Sequence, residues 1–383
     1  MTALPPPLSL YVHLPWCVRK CPYCDFNSHT AGPNIERDRY VDALLADLAA
    51  ETGRAGGREL VSVFLGGGTP SLFSPDDIAR IVDGIHAVFA VADDVEITME
   101  ANPGTVESGS PAGYRRAGVN RLSIGAQSLS ADSLSKLGRI HSPGDVERSV
   151  REARDAGFDN LNLDIMHGLP GQDVAAALDD LEQAIALGPE HVSWYELTLE
   201  PNTVFHARPP EDLPDDDTIR TIEERGAELL RDSGYERYEV SAWSKPGRRC
   251  LHNLNYWQFG DYLGIGAGAH GKLTVDDTIY RSVRPANPLA YLVAMELPAP
   301  GRDLRELDDA ERLFEYLLNA LRLEDGFDES EFASRTGLDR KILETRAAPA
   351  VERGLIERES GGRWVPTALG RQFLNDLQST FLP

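Results

Sequence analysis

The sequence predicts an α/β fold in which parallel strands alternate with crossover helices, followed by a small helical module. Three observations predict it. Through the first 250 residues, six short β-rich runs each end at Gly, Pro or a polar turn, and helical patterns separate them. A polar residue or a glycine turn stands late in every run, at His13, Gly66–Gly67–Gly68, Glu100, Gln127, Asp164 and Glu196. After about residue 240 the rhythm stops, and from about 308 the pattern becomes helix, helix, helix and a short hairpin. Alternation of this kind suits either a barrel or a doubly wound sheet. Functional groups of a β/α barrel gather at the C-terminal ends of its strands, so a polar residue at each run end reads as a ring around one mouth.

The runs, in order, are "LSLYVHLP" (8–15), "LVSVFLGGG" (60–68), "VEITMEANP" (95–103), "RLSIGAQS" (121–128), "LNLDIMHG" (161–168) and "HVSWYELTLE" (191–200). Val, Ile, Leu and Tyr dominate them, as buried strands require. Helices are expected at "RDRYVDALLADLAAE" (37–51), "PDDIARIVDGIHAVFA" (75–90), "PGDVERSVREARDAG" (143–157) and "VAAALDDLEQAIALG" (174–188). Three domains follow: 1–240 as the barrel with its cysteine loop, 241–305 as an aromatic- and Gly-rich segment closing it, and 306–383 as a winged-helix-like module. The module has little basic excess, so packing or lid duty suits it better than DNA binding.

Composition narrows function. Lys+Arg 38 against Asp+Glu 61 leaves a net charge of −23, a field that repels nucleic acid and anionic lipid. The acidic run "PEDLPDDD" (210–217) reads as a solvated loop. No apolar stretch reaches spanning length, and "MTALPPPLSL" lacks the basic and apolar regions of a leader, so a cytoplasmic protein is expected. Four cysteines in 383 residues are not a disulfide framework.

Three of those four, Cys17, Cys21 and Cys24, form C-x3-C-x2-C directly after the first strand. Structural zinc takes four closed N/S ligands, and His29 would supply the fourth. That reading carries less weight than an iron–sulfur one. A [4Fe–4S] cube needs one thiolate per iron, and three thiolates leave one iron open to a small molecule. Cys250, far along the chain, is expected to be a buried apolar thiol.

"CVRKCPYCDF" resembles the signature loop of radical S-adenosylmethionine (SAM) enzymes. The first 270 residues resemble the branch that holds oxygen-independent coproporphyrinogen III dehydrogenase and its haem-chaperone relatives. The resemblance implies a partial (β/α)6 barrel, a [4Fe–4S] cluster on Cys17, Cys21 and Cys24, and SAM bound at the open iron. It places Gly68, Thr69 and Pro70 of "GGGTP" against SAM, with Tyr11 beneath the loop and Tyr23 near the adenine. Glu100, Gln127, Arg139 and Asp164 complete that ring. Glycines let a backbone approach a ligand, and carboxylates suit ribose hydroxyls. Taken alone, the triple glycine is an ordinary turn, and the carboxylates are caps or buried ion pairs.

The dehydrogenase branch carries a further cysteine two positions beyond the third ligand, where this chain has Phe26, and its N-terminal extension is short here. "CLHNLNYW" (250–257) contains H-N-x-x-Y-W, similar to the element of the haem-chaperone branch. Haem takes axial His, Cys, Met or Tyr and flat apolar walls. His252, Asn253, Tyr256 and Trp257 are therefore the expected haem residues, with His13 and His270 as alternative ligands. The bland alternative is that Tyr256 and Trp257 plug the barrel. The resemblance implies a haem chaperone serving haem-requiring, respiratory-chain recipients, with a membrane-side encounter and a dimer. The rival expectation is oxidative decarboxylation of coproporphyrinogen III.

Overall fold

In the runs read as strands, residues on both faces are largely buried, one face apolar and the other partly polar, and strands that bury both faces belong to a sheet covered by helices. The computed structural model describes residues 5–32, 35–104, 109–297 and 303–382. The six runs form β1 (Leu8–Leu14), β2 (Leu60–Gly67), β3 (Val91–Ala101), β4 (Arg121–Gln127), β5 (Leu161–His167) and β6 (His191–Glu196). They pair in that order, every pair parallel.

The crossover helices start where the sequence places caps. Ser74 and Asp77 form a capping box on the helix Pro75–Val88, and Ser142 and Asp145 do the same for Pro143–Asp155. The acidic run at 210–217 does more than face solvent. Asp215 accepts a hydrogen bond from the Thr218 amide at 2.8 Å, with Asp216 and Asp217 in the first turn of the helix Asp216–Asp232.

The sheet then grows at both ends. β7 (Glu236–Glu239) and β8 (Ala242–Ser244) add antiparallel strands beside β6. At the other end β9 (Asp261–Ile265) lies parallel to β1. It is followed by antiparallel β10 (His270–Val275), β11 (Thr278–Val283) and β12 (Asp303–Glu306). The order is β12-β11-β10-β9-β1-β2-β3-β4-β5-β6-β8-β7, and β6 does not meet β9. The barrel is partial, as expected, and open. β9, a seventh parallel strand, escapes the reading that ends the rhythm at 240. It is short, and Gly264 interrupts it because a Cβ there would meet the His270 carbonyl oxygen at 2.0 Å.

Alternation along the strands sorts their side chains. Val12, Val63, Ile97, Leu122, Leu163 and Val192 join the helices in one apolar core. Ser9, Ser62, Glu96, Arg121, Asn162 and His191 belong to the opposite, inward set and are buried. The chain from β8 to β9 must cross from one end of the open sheet to the other. It does so through residues 245–260, whose helix Leu251–Trp257 packs on β1, β2 and β9. Glu96 receives that helix: its carboxylate accepts from the Leu251 and His252 amides at 3.2 Å each and from the Cys250 thiol at 3.4 Å. Arg121 Nε lies 4.0 Å away. Cys250 is buried as expected, but its surroundings are charged rather than apolar.

The last helices, Asp309–Ala320, Glu329–Thr336 and Arg340–Glu352, pack with β13 (Phe327–Asp328), β14 (Ile356–Arg358) and β15 (Arg363–Pro366) in the order β13-β15-β14, the winged-helix-like module expected. Tyr316 meets Phe327, Phe332 and, from the crossing segment, Phe259 edge-on, which docks the module on the barrel.

Glu96→Ala is expected to destabilise the chain by about 3 kcal/mol, because it removes the acceptor of the Leu251 and His252 amides and the carboxylate nearest the buried Arg121. Asp94→Ala, exposed on the same strand, stays within about 0.5 kcal/mol of wild type. Urea unfolding of the two variants checks this; equal midpoints would refute it.

Candidate functional site

The cysteine loop leaves β1 at Pro15 and is closed by a two-residue parallel pairing of Trp16–Cys17 with His29–Thr30. Inside it the Cys24 amide donates to the Cys21 carbonyl at 3.2 Å, and Lys20 Nζ donates to the Phe26 carbonyl at 2.9 Å. Asn27 ties the loop down: its Nδ2 donates to the Ala267 and Ala286 carbonyls, both at 2.9 Å. Those carbonyls lie beside β9 and after β11, so the strands missed in the sequence hold the loop in place.

The triple glycine serves this loop. A Cβ on Gly68 would meet the Trp16 carbonyl oxygen at 2.5 Å, and one on Gly67 would meet the His13 ring at 2.4 Å. Gly67 also adopts φ 115°, a conformation that favours glycine. The Gly68 amide donates to Leu14 and the Thr69 amide to Trp16. The close approach that glycine permits here is first to the protein's own cysteine loop.

Under the loop lies a cavity of about 420 Å³. Cys17, Cys21, Cys24 and Tyr23 line it from the loop side. From the strand ends come Gly67 and Gly68 of β2, Glu100 of β3, Gln127 of β4, Asp164 of β5, and Tyr195 and Glu196 of β6. Side chains from four neighbouring strands and the glycine backbone at the end of a fifth reach one space only if the sheet curls around it. The ring of run-end residues therefore exists, with one exception. His13 faces away: its Nδ1 is 2.8 Å from the Tyr11 hydroxyl and its Nε2 2.9 Å from the Asn27 carbonyl oxygen.

Of the residues expected around SAM, Tyr23, Gly68, Pro70, Glu100, Gln127, Arg139 and Asp164 line this cavity. Thr69 lines an adjoining recess, where its hydroxyl accepts from Asn102 Nδ2 at 2.9 Å. Tyr11 stands apart, within the barrel beside Phe64 and His252. Arg139 is largely engaged. Its Nη2 donates to Asn102 Oδ1 at 2.6 Å and to the Gly125 carbonyl at 2.8 Å, and its Nη1 reaches Cys21 Sγ at 3.5 Å. Its buried Nε has no hydrogen-bond partner among the described residues. Gln127 holds φ 68°, strained for a residue with a side chain, and accepts from the Tyr195 hydroxyl at 2.7 Å. Sequence reasoning passed over Asn102 and Tyr195; each stands within two residues of a run-end carboxylate, which is the signal that marked them.

Burial pushes the Glu100 carboxyl up to about 7, the Gly67 amide opposes this at 2.9 Å, and the nearby Asp164 adds to it. Burial also raises Asp164, countered by hydrogen bonds from Asn162, Ser193 and Ser123. The thiols of Cys17 and Cys24 are raised by burial as well. A metal that binds thiolate reverses that preference by displacing the proton.

The donor set fits an iron–sulfur cube better than a single ion. Zinc needs its ligands within about 2.3 Å of one point. Among the described residues no three His, Cys, Asp or Glu side chains meet in that way. His29 instead holds its Nε2 3.2 Å from Asn27 Oδ1. A cube gives each thiolate its own iron, so three cysteines that line one cavity suit it.

Residues 11–184 match the Radical SAM superfamily, and residues 307–373 match the HemN C-terminal domain. Heme chaperone HemW of Escherichia coli (strain K12) is 48% identical over 378 residues, covering 98% of each chain. The chain belongs to the heme chaperone HemW family. HemW of Bacillus subtilis (strain 168) is 33% identical over 380 residues, 98% of this chain and 99% of that one. In fold, the chain is similar to the solved coproporphyrinogen III oxidase (HemN) of Escherichia coli, a radical SAM enzyme. The TM-score is 0.81 at 22% identity, over 98% of this chain and 90% of that one.

The H-N-x-x-Y-W residues lie elsewhere in this HemW-family chain. Glu96, which holds their helix, precedes the mouth residue Glu100 by four positions on β3, roughly 13 Å at strand rise. His252 is 3% exposed, and its Nδ1 is 3.2 Å from the Ser62 hydroxyl. Its ring stacks on Phe64 and meets Tyr256 edge-on, so the two share a helix face as expected. Burial lowers it to about 3, which keeps the imidazole neutral. The Arg322 guanidinium lies 4.3 Å from the Trp257 ring centre. Asn253 stands next to His252 in the same helix, half-buried. His252, Asn253, Tyr256 and Trp257 thus pack as a plug beneath the barrel, away from the cysteine cavity. His270 is exposed at the start of β10.

Glu100→Gln tests the electrostatics of the mouth. The Glu100 carboxyl is raised to about 7 from an ordinary 4.5, so the folded chain binds the extra proton between those values and loses stability as pH rises through them. The variant should match wild type near pH 4.5 and exceed it by up to about 3 kcal/mol above pH 7 in ligand-free protein. Urea unfolding at the two pH values reads the difference, and a pH-independent one would refute the assignment.

Proposed function

We propose that this chain is a haem chaperone that holds a [4Fe–4S] cluster on Cys17, Cys21 and Cys24, takes SAM in the cavity below it, and binds haem for delivery to haem-requiring proteins. The observation that carries the reading is the convergence of three thiols and the strand-end ring on one cavity, in a chain 48% identical to a heme chaperone over nearly its whole length. Bound there, the cluster supplies one open iron that SAM can chelate.

The chain's own residues define what surrounds that iron. Glu100 and Asp164, on strands either side of β4, suit the ribose hydroxyls, and Tyr23 roofs the cavity from the loop. Arg139 braces Cys21 from outside, and its bonds to Asn102 and Gly125 fix the guanidinium before any ligand enters. Gly67 and Gly68 set the loop close enough to β2 for thiols and strand-end carboxylates to face one ligand. His252 and its neighbours keep the barrel closed below. Haem ligation by His252 requires the helix Leu251–Trp257 to leave Glu96 and Ser62.

Transfer needs only that haem bind better to the recipient than to the carrier, so SAM and cluster act here as structural or regulatory ligands. The net charge of −23 favours recipients with a basic face. Respiratory-chain proteins are the proposed recipients, with a membrane-side encounter and a cluster-linked dimer. Among the described residues no helix is long and apolar enough to cross a membrane.

Anaerobically reconstituted protein should be brown, form a stable complex with haemin, and release it to apomyoglobin. Cys21→Ser should lose the cluster absorbance and the iron. Zinc in place of iron would refute the cluster, and conversion of coproporphyrinogen to protoporphyrinogen would replace the chaperone reading with the enzymatic one.

A further inference from the structure

Beside the mouth lies a second cavity of about 790 Å³, which shares Tyr195, Glu196 and Thr198 with the first. That volume falls within the roughly 300–1,000 Å³ of small-molecule sites. One side is the outer face of β5 and β6. His167 follows Met166, which lines the mouth, and strand alternation turns the histidine outward. The other side is the helix Asp216–Asp232 together with the module's helix Ala368–Gln372.

Two residues that line this cavity each carry a buried polar atom without a partner. His167 is 3% exposed and Trp194 5%, and both line it. Neither His167 Nδ1 nor Trp194 Nε1 has a hydrogen-bond partner among the described residues. The rings stand 4.5 Å apart, and buried polar atoms of this kind ordinarily have partners. Burial lowers the imidazole to about 4, so at neutral pH it is uncharged and one of its ring nitrogens carries a free lone pair. Trp194 and Trp243 supply flat apolar surface, and Arg237 lies 5.8 Å from the Trp243 ring centre. Arg231 and Arg371 add cationic groups; Arg371 holds its Nε 3.5 Å from Glu324 and donates from Nη1 to the Pro366 carbonyl at 2.6 Å, which leaves its Nη2 for a ligand. Glu196, Glu223, Glu224 and Glu228 also line the cavity. Burial raises Glu196 and Glu223, which weakens their repulsion of an anion.

A neutral imidazole, aromatic walls and arginines that pair with carboxylates together form the chemistry that holds an iron porphyrin. We propose that haem sits in this cleft between barrel and C-terminal module, with His167 as an axial ligand; the inference rests on the haem-chaperone reading and adds the seat and the ligand to it. Cargo and cluster then occupy adjoining cavities, divided by Tyr195 and Glu196.

The test is an anaerobic titration of the full chain with haemin, followed at the Soret band, with thermal melts to establish folding. His167→Ala should weaken binding roughly 10-fold or more and change the Soret position, while His252→Ala leaves both unaltered. His167→Met keeps the cavity filled and should shift the Soret band as the axial atom changes from nitrogen to sulfur. Arg371→Ala should weaken haemin binding but leave binding of haemin dimethyl ester, whose carboxylates are masked, as in wild type. Wild-type spectra and affinity in both His167 variants would overturn the seat and leave the chaperone reading standing. Wild-type protein that binds no haemin would overturn both.

Discussion

A buried carboxylate, Glu96, anchors the start of the crossing helix on the barrel. An open sheet whose chain must pass from one edge to the other needs an anchor beneath the strands, and the buried N-terminus of a short helix needs acceptors for its amides. Glu96 answers both demands, taking two helix amides and a thiol while facing Arg121. From that anchor follow the position of the aromatic plug, the start of β9, and the strands that tie down the cysteine loop.

Above the plug, the mouth is assembled by close approach. Gly67 and Gly68 have no room for side chains because His13 and the Pro15–Trp16 backbone occupy that space. The loop is therefore pressed against the end of β2, and its thiols face carboxylates on β3 and β5. Unfavourable protonation equilibria at Glu100, Asp164, Cys17 and Cys24 share one cause, burial, and collect at one place. Clusters of perturbed groups of that kind mark functional sites.

Much of this is legible in the residues. Run-end polar positions identify the mouth because strand alternation and parallel pairing leave them little choice of direction. The thiol spacing identifies a loop site, and the helical patterns that open at Pro75 and Pro143 begin where the helices do. What stays hidden depends on contacts distant in sequence. β9 is obscured by Gly264, whose glycine is dictated by His270 across the strand pair. Tyr11 alternates into the barrel and not into the mouth. The aromatic H-N-x-x-Y-W element reads equally as ligand or plug until Glu96 and Ser62 show which surface it meets. His167 carries no local signal at all, since a histidine ending a strand is marked only by the space outside it.

Asn27 gives the cysteine loop a partner far away in the chain. Its amide bridges Ala267 and Ala286, so ordering of the loop and ordering of the turn after β9 are one equilibrium seen from two ends. Whatever fastens the thiols firms that distant turn by an equal free energy, and whatever loosens the turn slackens the grip on the loop, as linkage demands. Filling the mouth is thereby felt at the end of the neighbouring strand β9 and in the segment after β11, without any rigid lever between them.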